Sequence, residues 1–487
     1  MRHLVFLLLC ITPLTACSRD ANDGVVDVAF IGDAAALYGS GAELPAGAGL
    51  LREAQRQGLV RLNASGEVVP ALAERWIVTD DGTSYIFRIN EFDLADDRRL
   101  SAQTVAQALR DAVAATQGTS LGLDLAKIRD IRAMTGRVIE IRLVSPMPGF
   151  LQLLAQPELG ISLQNAHTGP MNAQVDEGTA RLEAIAPELR GLAPQPDWNA
   201  ETRAVRIRPL EARAAAQAFE EGTVDLLLGG RIETLPLAVT GALSRGTVRL
   251  DSAVGLFGLD VRLPQGFLAT SENREAIAMA IDRPALAEAF NLGGWTATTR
   301  LVAEGLPGDN QSMGERWEGQ TIEQRRAIAA QRVRSFQTEA TGPVVLSISL
   351  PEGPGSQLLF AALAQDMRAI GVELVMAQRA QDADLVLRDR VARYAGARWF
   401  LNQFNCTVAR PVCSEDADYL VELSLASASP DEEASFLAEA EQTLTATNLF
   451  IPLGSPVRWS QVRAGIDGFA ENVWAHHPLF PLSRAPI

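Results

Sequence analysis

Lysine, histidine, cysteine and long apolar runs are all scarce in this sequence of 487 residues. Lys127 is its one lysine, and 43 basic residues oppose 59 acidic ones, which gives a net charge of −16. This negative charge repels nucleic-acid phosphates and argues against nucleic acid as a partner. Beyond the N-terminus, no stretch approaches the roughly 20 apolar residues that a transmembrane helix needs. Four histidines are few, and no zinc-binding helix motif occurs, so we expect no metal and no other cofactor.

The N-terminus has the pattern of a lipoprotein signal peptide. Arg2 and His3 precede an apolar run from Leu4 to Leu14, which is too short to remain as a membrane-spanning helix. The run ends in Leu-Thr-Ala-Cys, which matches the bacterial lipobox. We therefore expect cleavage after residue 16, a diacylated Cys17 and a polar tether over 17–24. Ser18 is not the aspartate that commonly retains lipoproteins in the inner membrane, so the choice between inner and outer membrane stays open.

Two cysteines remain after processing, because Cys10 leaves with the signal peptide and Cys17 is lipidated. Cys406 and Cys413 would then lie in an oxidising compartment, where disulfides form. We favour a disulfide between them over two free thiols. A metal site is the weakest alternative, since no histidine lies nearby.

Strand and helix patterns alternate along the chain, which is typical of an α/β or α+β protein. Val138 to Leu143 alternates apolar and charged residues and predicts a strand. Ser101 is placed to cap a helix, and Ser429 with Glu432 has the spacing of a capping box. A length of 487 residues exceeds one compact core, so we expect two or three lobes.

The segment GEVVPALAERWIVTDDGTSYIFRI, residues 66–89, closely resembles a signature of the family-5 extracellular solute-binding proteins. LSAQTV at residues 100–105 is similar to the helix start that follows this signature. Further similarities occur in order along the chain, at HTGPM (167–171), AFEEGTVDLLLGG (218–230) and NREAIAMAIDRPALAEAF (273–290). The resemblance covers nearly the whole mature chain.

The resemblance implies a type II periplasmic-binding fold with two hinged lobes and an inserted extra domain. The implied first lobe is discontinuous and comprises 25–52, 165–265 and 450–487. The implied extra domain is 53–164, and the second lobe is 266–449. In such a fold, ligand contacts to both lobes stabilise the closed form.

The sequence departs from the family pattern where peptide binders hold the ligand's free amine. Those proteins often carry a tryptophan followed three residues later by an aspartate. Around Trp399 this chain has Asn402 and then Gln403, and a neutral amide lacks the charge that stabilises a buried ammonium. Trp399, Asn402, Gln403 and Phe257 are the candidate ligand contacts, and the ligand is expected to be a peptide-like or related small solute of non-standard kind.

The implied function is a periplasmic lipoprotein that captures a ligand between its lobes and delivers it to an ABC permease with its ATPase. The lipid membrane is the third partner, and we expect a monomer. No nucleophile elbow or phosphate-binding loop occurs, so we expect no enzyme. The adjacent pair His476 and His477 is expected at the surface. The alternative function is a degenerate, non-transporting member that acts as a structural or sensory lipoprotein.

Overall fold

The computed structural model describes residues 24–91, 100–163, 168–238, 246–340 and 342–485. The predicted signal peptide, Cys17 and all of the tether except Gly24 lie outside the described residues. The strands are β1 Val25–Ile31, β2 Val60–Leu62, β3 Val68–Pro70, β4 Ala73–Val78, β5 Ser84–Ile89, β6 Ile128–Ala133, β7 Val138–Leu143, β8 Met171–Asp176, β9 Thr179–Ala184, β10 Ala204–Leu210, β11 Leu226–Arg231, β12 Val248–Asp251, β13 Gly255–Val261, β14 Val344–Ser349, β15 Val372–Met376, β16 Leu385–Val391, β17 Phe450–Gly454 and β18 Arg458–Val462.

The helices complete the alternation of elements that the sequence predicts. They are α1 Ala34–Tyr38, α2 Ala46–Gln55, α3 Ala102–Ala115, α4 Ser120–Asp124, α5 Phe150–Leu154, α6 Trp198–Glu201, α7 Ala212–Glu221, α8 Ser271–Ala280, α9 Arg283–Ala289, α10 Ile322–Ala340, α11 Pro354–Ala369, α12 Ala397–Asn402, α13 Cys406–Ala409, α14 Glu415–Leu423 and α15 Pro430–Thr447.

Two large sheets form the two lobes. The first sheet has the order β12-β18-β11-β1-β10-β9-β8, and the second has the order β15-β14-β16-β13-β17. In the first sheet β1 runs parallel to both β10 and β11, so the carboxyl ends of these strands meet at one edge. That edge is where parallel α/β sheets place ligands.

Strand pairing also shows where the chain passes from one sheet to the other. β13 and β17 pair in the second sheet, whereas β12 and β18 pair in the first. The predicted first-lobe ranges 165–265 and 450–487 therefore include two strands that belong to the second sheet. The chain crosses between the sheets at residues 252–254 and 455–457, and these two segments are the candidate hinge.

The extra domain is a four-stranded antiparallel sheet, β4-β5-β7-β6, with the β2-β3 hairpin beside it. One apolar core contains Phe87 and Phe150 of this domain together with Phe400 and Leu437 of the second lobe. The single lysine lies at the same interface. Lys127 is 1% exposed, and its Nζ is 2.6 Å from Oε1 of Glu433 on α15. The ion pair between Lys127 and Glu433 therefore links the extra domain to the second lobe.

The local predictions for strands and caps are confirmed. Residues 138–143 form β7, and the Ser101 hydroxyl accepts a hydrogen bond from the Thr104 amide at the start of α3. Ser429 caps α15 in the same manner by accepting from the Glu432 amide. In each helix the side-chain oxygen replaces a partner that the first-turn amides lack.

Cys406 and Cys413 form a disulfide bond on the second lobe. Within the described part of the chain, none of the helices combines the length and apolar character needed to cross a bilayer.

Candidate functional site

A cleft of about 630 Å³ opens between the two sheets and the extra domain. The first lobe contributes the ends of β1 and β11, and the second lobe contributes the end of β16, Trp399 of α12 and Gln403 just after that helix. Gln156 and Glu158 reach it from the end of the extra domain. A volume of this size is typical of small-molecule sites, and contributions from both lobes make it sensitive to hinge closure.

Charged side chains dominate the polar lining of the cleft. Arg458 of β18 donates from one guanidinium nitrogen to both carboxylate oxygens of Asp389 on β16, at 2.7 and 2.8 Å. Arg393 pairs with Glu158 at 2.9 Å. The first pair connects the two lobes, and the second connects the second lobe to the extra domain. Both pairs cross boundaries that a hinge motion would alter.

Two of the predicted ligand contacts lie in this cleft. Trp399 on α12 is 2% exposed and lines it, as does Gln403 one turn later. The Gln403 Oε1 accepts a hydrogen bond of 2.8 Å from the Arg390 guanidinium. The helix spacing of four residues explains why these two side chains share a face.

Asn402 faces a different environment. It is 1% exposed, and its Nδ2 donates to the Oδ1 of Asp124 at 2.7 Å. The Tyr394 hydroxyl donates to the same oxygen at 3.0 Å. The amide therefore lies at the interface with the extra domain, bonded to Asp124, and does not line the cleft.

Phe257 lies in a second cavity, of about 370 Å³, behind the two crossover segments. Its ring meets the Trp295 ring edge-on at a centroid distance of 6.3 Å. The structure thus brings Trp399 and Gln403 together and places Asn402 and Phe257 elsewhere.

The expectation that His476 and His477 lie at the surface is wrong for His477, which is buried, whereas His476 is partly buried, and both line the cleft. The His477 Nε2 is 3.0 Å from Asp251 Oδ2, and the His476 Nε2 is 2.7 Å from Glu53 Oε2. Burial opposes protonation of His476, but the attraction of Glu53 outweighs it and raises the pKa of the imidazole. The two carboxylates come from distant segments, which adjacency in sequence does not reveal.

Sequence reasoning missed the charged residues at the cleft end of β16, which are Asp389 and Arg390. A signal was present, since LVLRDRV places three consecutive charged residues after three apolar ones within one strand. Arg458 and Glu233 carry no comparable local pattern. Within the described residues, no group of three or more histidine, cysteine or acidic side chains is arranged to hold a metal ion.

Burial raises the pKa of the Asp124 carboxyl to about 7, although bonds from Asn402 and Tyr394 and the charge of Arg398 partly counteract it. A carboxyl whose pKa is higher in the folded than in the unfolded chain favours folding most at low pH. This contribution is lost as pH rises from the unfolded value of 3.8 towards about 7. We expect Asp124→Asn to remove this loss.

The measurement is urea unfolding of wild type and Asp124→Asn between about pH 5 and pH 8. Between these two pH values the free energy of unfolding of Asp124→Asn should rise by about 1–3 kcal/mol relative to that of wild type. Asp176→Asn, at an exposed position at the end of β8, is the matched control and should show no such trend. A constant difference between Asp124→Asn and wild type would contradict the assignment.

Two hinged lobes, an inserted domain and an interlobe cleft define a two-lobed solute-binding protein of type II periplasmic-binding fold. Residues 67–408 match the model of the bacterial extracellular solute-binding proteins, family 5 (middle region). The chain belongs to this family. OppA of Haemophilus influenzae, solved in complex with RPPGFSPFR, superposes with a TM-score of 0.76 at 15% identity. The match covers 93% of this chain and 97% of that one, which confirms the predicted fold class.

Two relatives from Escherichia coli differ in what their names say they bind. The nickel-binding periplasmic protein is 22% identical over 361 residues, which are 69% of this chain and 68% of that protein. The probable deoxycholate-binding periplasmic protein YgiS is 32% identical over 129 residues, which are 21% of this chain and 23% of that relative. The family is therefore established, whereas the relatives do not agree on a ligand.

Proposed function

We propose that this chain is an extracytoplasmic lipoprotein that captures a small solute between its lobes and delivers it to an ABC permease. The interlobe cleft of about 630 Å³, lined by both lobes, is the observation that carries the proposal. A ligand that touches both lobes stabilises the closed form by its additional contacts. The names of the relatives support a periplasmic location and a solute of peptide-like or related kind.

We further propose that the solute is not an ordinary peptide held by its free amine. Asn402 is neutral and is bonded to Asp124 rather than turned into the cleft. A buried ammonium without a carboxylate partner costs several kcal/mol. Ordinary peptides should therefore bind weakly at the Trp399 end of the cleft.

Calorimetry and small-angle scattering test both proposals. A screen of peptides, glycosides, metal chelates and cell-wall fragments should yield a solute that binds and reduces the radius of gyration. Short peptides without basic side chains and their N-acetylated forms should bind equally weakly. Tight binding that depends on the free amine would overturn the statement about peptides, and a screen without any binder would count against solute capture itself.

Attachment through Cys17 is a separate proposal and rests on the lipobox. Stable anchoring requires more than one acyl chain, and a mature lipoprotein N-terminus carries three. We expect Cys17→Ser to move the protein from the membrane fraction to the soluble periplasm. Membrane fractionation and the mass of the mature N-terminus measure this. A variant that stays with the membrane at an unchanged N-terminal mass would contradict lipidation.

A further inference from the structure

Two buried polar atoms of the described cleft residues have no hydrogen-bond partner. They are Trp399 Nε1 and Glu233 Oε2. Buried polar atoms in proteins are almost always paired, so each unpaired one calls for an explanation. Trp399 Nε1 can only donate, whereas an ionised Glu233 can only accept. A solute that reaches both atoms would supply the missing partners.

The two atoms belong to opposite lobes. Trp399 is held on α12 of the second lobe, with its ring packed edge-on against Phe400 at a centroid distance of 4.9 Å. Glu233 follows β11 of the first lobe. Its backbone carbonyl accepts a hydrogen bond of 2.8 Å from the Gly355 amide, which fixes its position at the lobe interface. A solute that contacts both side chains therefore bridges the lobes.

The cleft contains more negative than positive charge. Seven carboxylates and four arginines line it. Arg458 is bonded to Asp389 and Arg393 to Glu158, so each of these guanidinium groups already has a carboxylate partner other than Glu233. Burial raises the pKa of Glu233 and the charge of Asp389 adds to this effect, whereas a hydrogen bond from its own backbone amide and the charges of Arg231 and Arg458 offset only part of it. The carboxylate thus lies in an environment that a further cation would stabilise.

We propose that the cleft selects a cationic solute whose guanidinium or ammonium group binds Glu233 and whose hydrogen-bond acceptor meets Trp399 Nε1. This inference rests on the proposed function and names the class of solute for the same cleft. A charged donor is favoured over a neutral one because only a cation compensates the charge of a buried carboxylate. The cation is recognised by the first lobe rather than at position 402.

Four acetylated amino-acid amides provide matched probes without a free α-amine. N-acetyl-arginine amide and N-acetyl-lysine amide carry the cation, N-acetyl-citrulline amide is the neutral counterpart of the arginine compound, and N-acetyl-glutamate amide is anionic. In calorimetry on the full chain we expect at least one cationic probe to bind about tenfold or more tightly than the citrulline probe. Glu233→Gln should abolish this preference. Trp399→Phe should weaken the binding of the cationic probes and of the citrulline probe alike, so the preference for the cation should remain.

Glu220→Gln is the control, because it removes the same charge from an exposed position on α7 of the first lobe, outside the cleft. It should leave the preference unchanged. Equal or tighter binding of the citrulline or glutamate probe, or equal effects of Glu233→Gln and Glu220→Gln, would overturn the inference but not solute capture. Failure of every probe at millimolar concentration also overturns the inference. The wider solute screen then decides whether the proposed function fails with it.

Discussion

Arg300→Met should lower the free energy of unfolding by about 3–5 kcal/mol, because it leaves two buried carboxylates without their cation. The Arg300 side chain is 6% exposed, and those of Asp309 and Glu441 are 2% and 3% exposed. One guanidinium nitrogen lies 3.0 Å from a carboxylate oxygen of each. Glu441 also accepts from the Val302 amide at 3.1 Å, so the cluster joins α15 to the loop that contains Arg300.

Arg379→Met provides the comparison for this experiment. It makes the same chemical change in an ion pair with Asp382, whose side chains are 69% and 48% exposed. Exposed pairs contribute about 0–1 kcal/mol. Urea unfolding of both variants at neutral pH measures the difference. A loss in Arg300→Met no larger than that in Arg379→Met would show that the buried cluster does not depend on its cation.

Gly355→Ala should impair closure of the lobes and weaken solute binding. Gly355 lies at the start of α11 in the second lobe, and a Cβ at this position would overlap the backbone carbonyl oxygen of Ile232 in the first lobe. Gly353 similarly faces the carbonyl of Glu233. A backbone atom cannot rotate away as a side chain does, so the segment after β11 must shift. Overpacking of this kind costs about 1–3 kcal/mol.

If the strain is relieved by opening, the dissociation constant rises by about 5- to 150-fold. Gly314→Ala is the matched control, because a Cβ there would meet no atom within 4 Å. Calorimetry with the solute found by screening and small-angle scattering of the free protein provide the two readouts. Gly355→Ala should show weaker binding and a larger radius of gyration. Identical results for the two alanine variants would mean that this contact does not limit closure.

Elements with a local cause were predictable from sequence. The alternation in 138–143 places every second side chain on one face, and Ser101 and Ser429 offer their own oxygens to helix amides. Both effects act within a few residues. The sheet to which β13 and β17 belong was less accessible, since β13 joins the second sheet by pairing with β16, and β17 joins it by pairing with β13. Composition does not distinguish a strand at the end of one lobe from a strand at the start of the next.

The candidate site shows the same division. Trp399 and Gln403 share a helix face, and both reach the cleft. The orientation of Asn402 depends on Asp124, which lies 278 positions away in sequence and reaches it only through packing of the extra domain. Glu233 carries no local pattern at all. Its significance depends on which atoms near it in space remain unpaired.

The sequence by itself determined the family, the alternation of helices and strands, the pairing of Cys406 with Cys413 as the favoured outcome, and the expectation of an interlobe ligand. These follow from residue order, short-range hydrogen bonding and apolar periodicity. Only the tertiary structure decided which side chains line the cleft, which of their charges are already paired, and that the single lysine and Asn402 serve the domain interface. Burial and pairing are properties of contacts between distant segments, and those contacts form only when the lobes fold together.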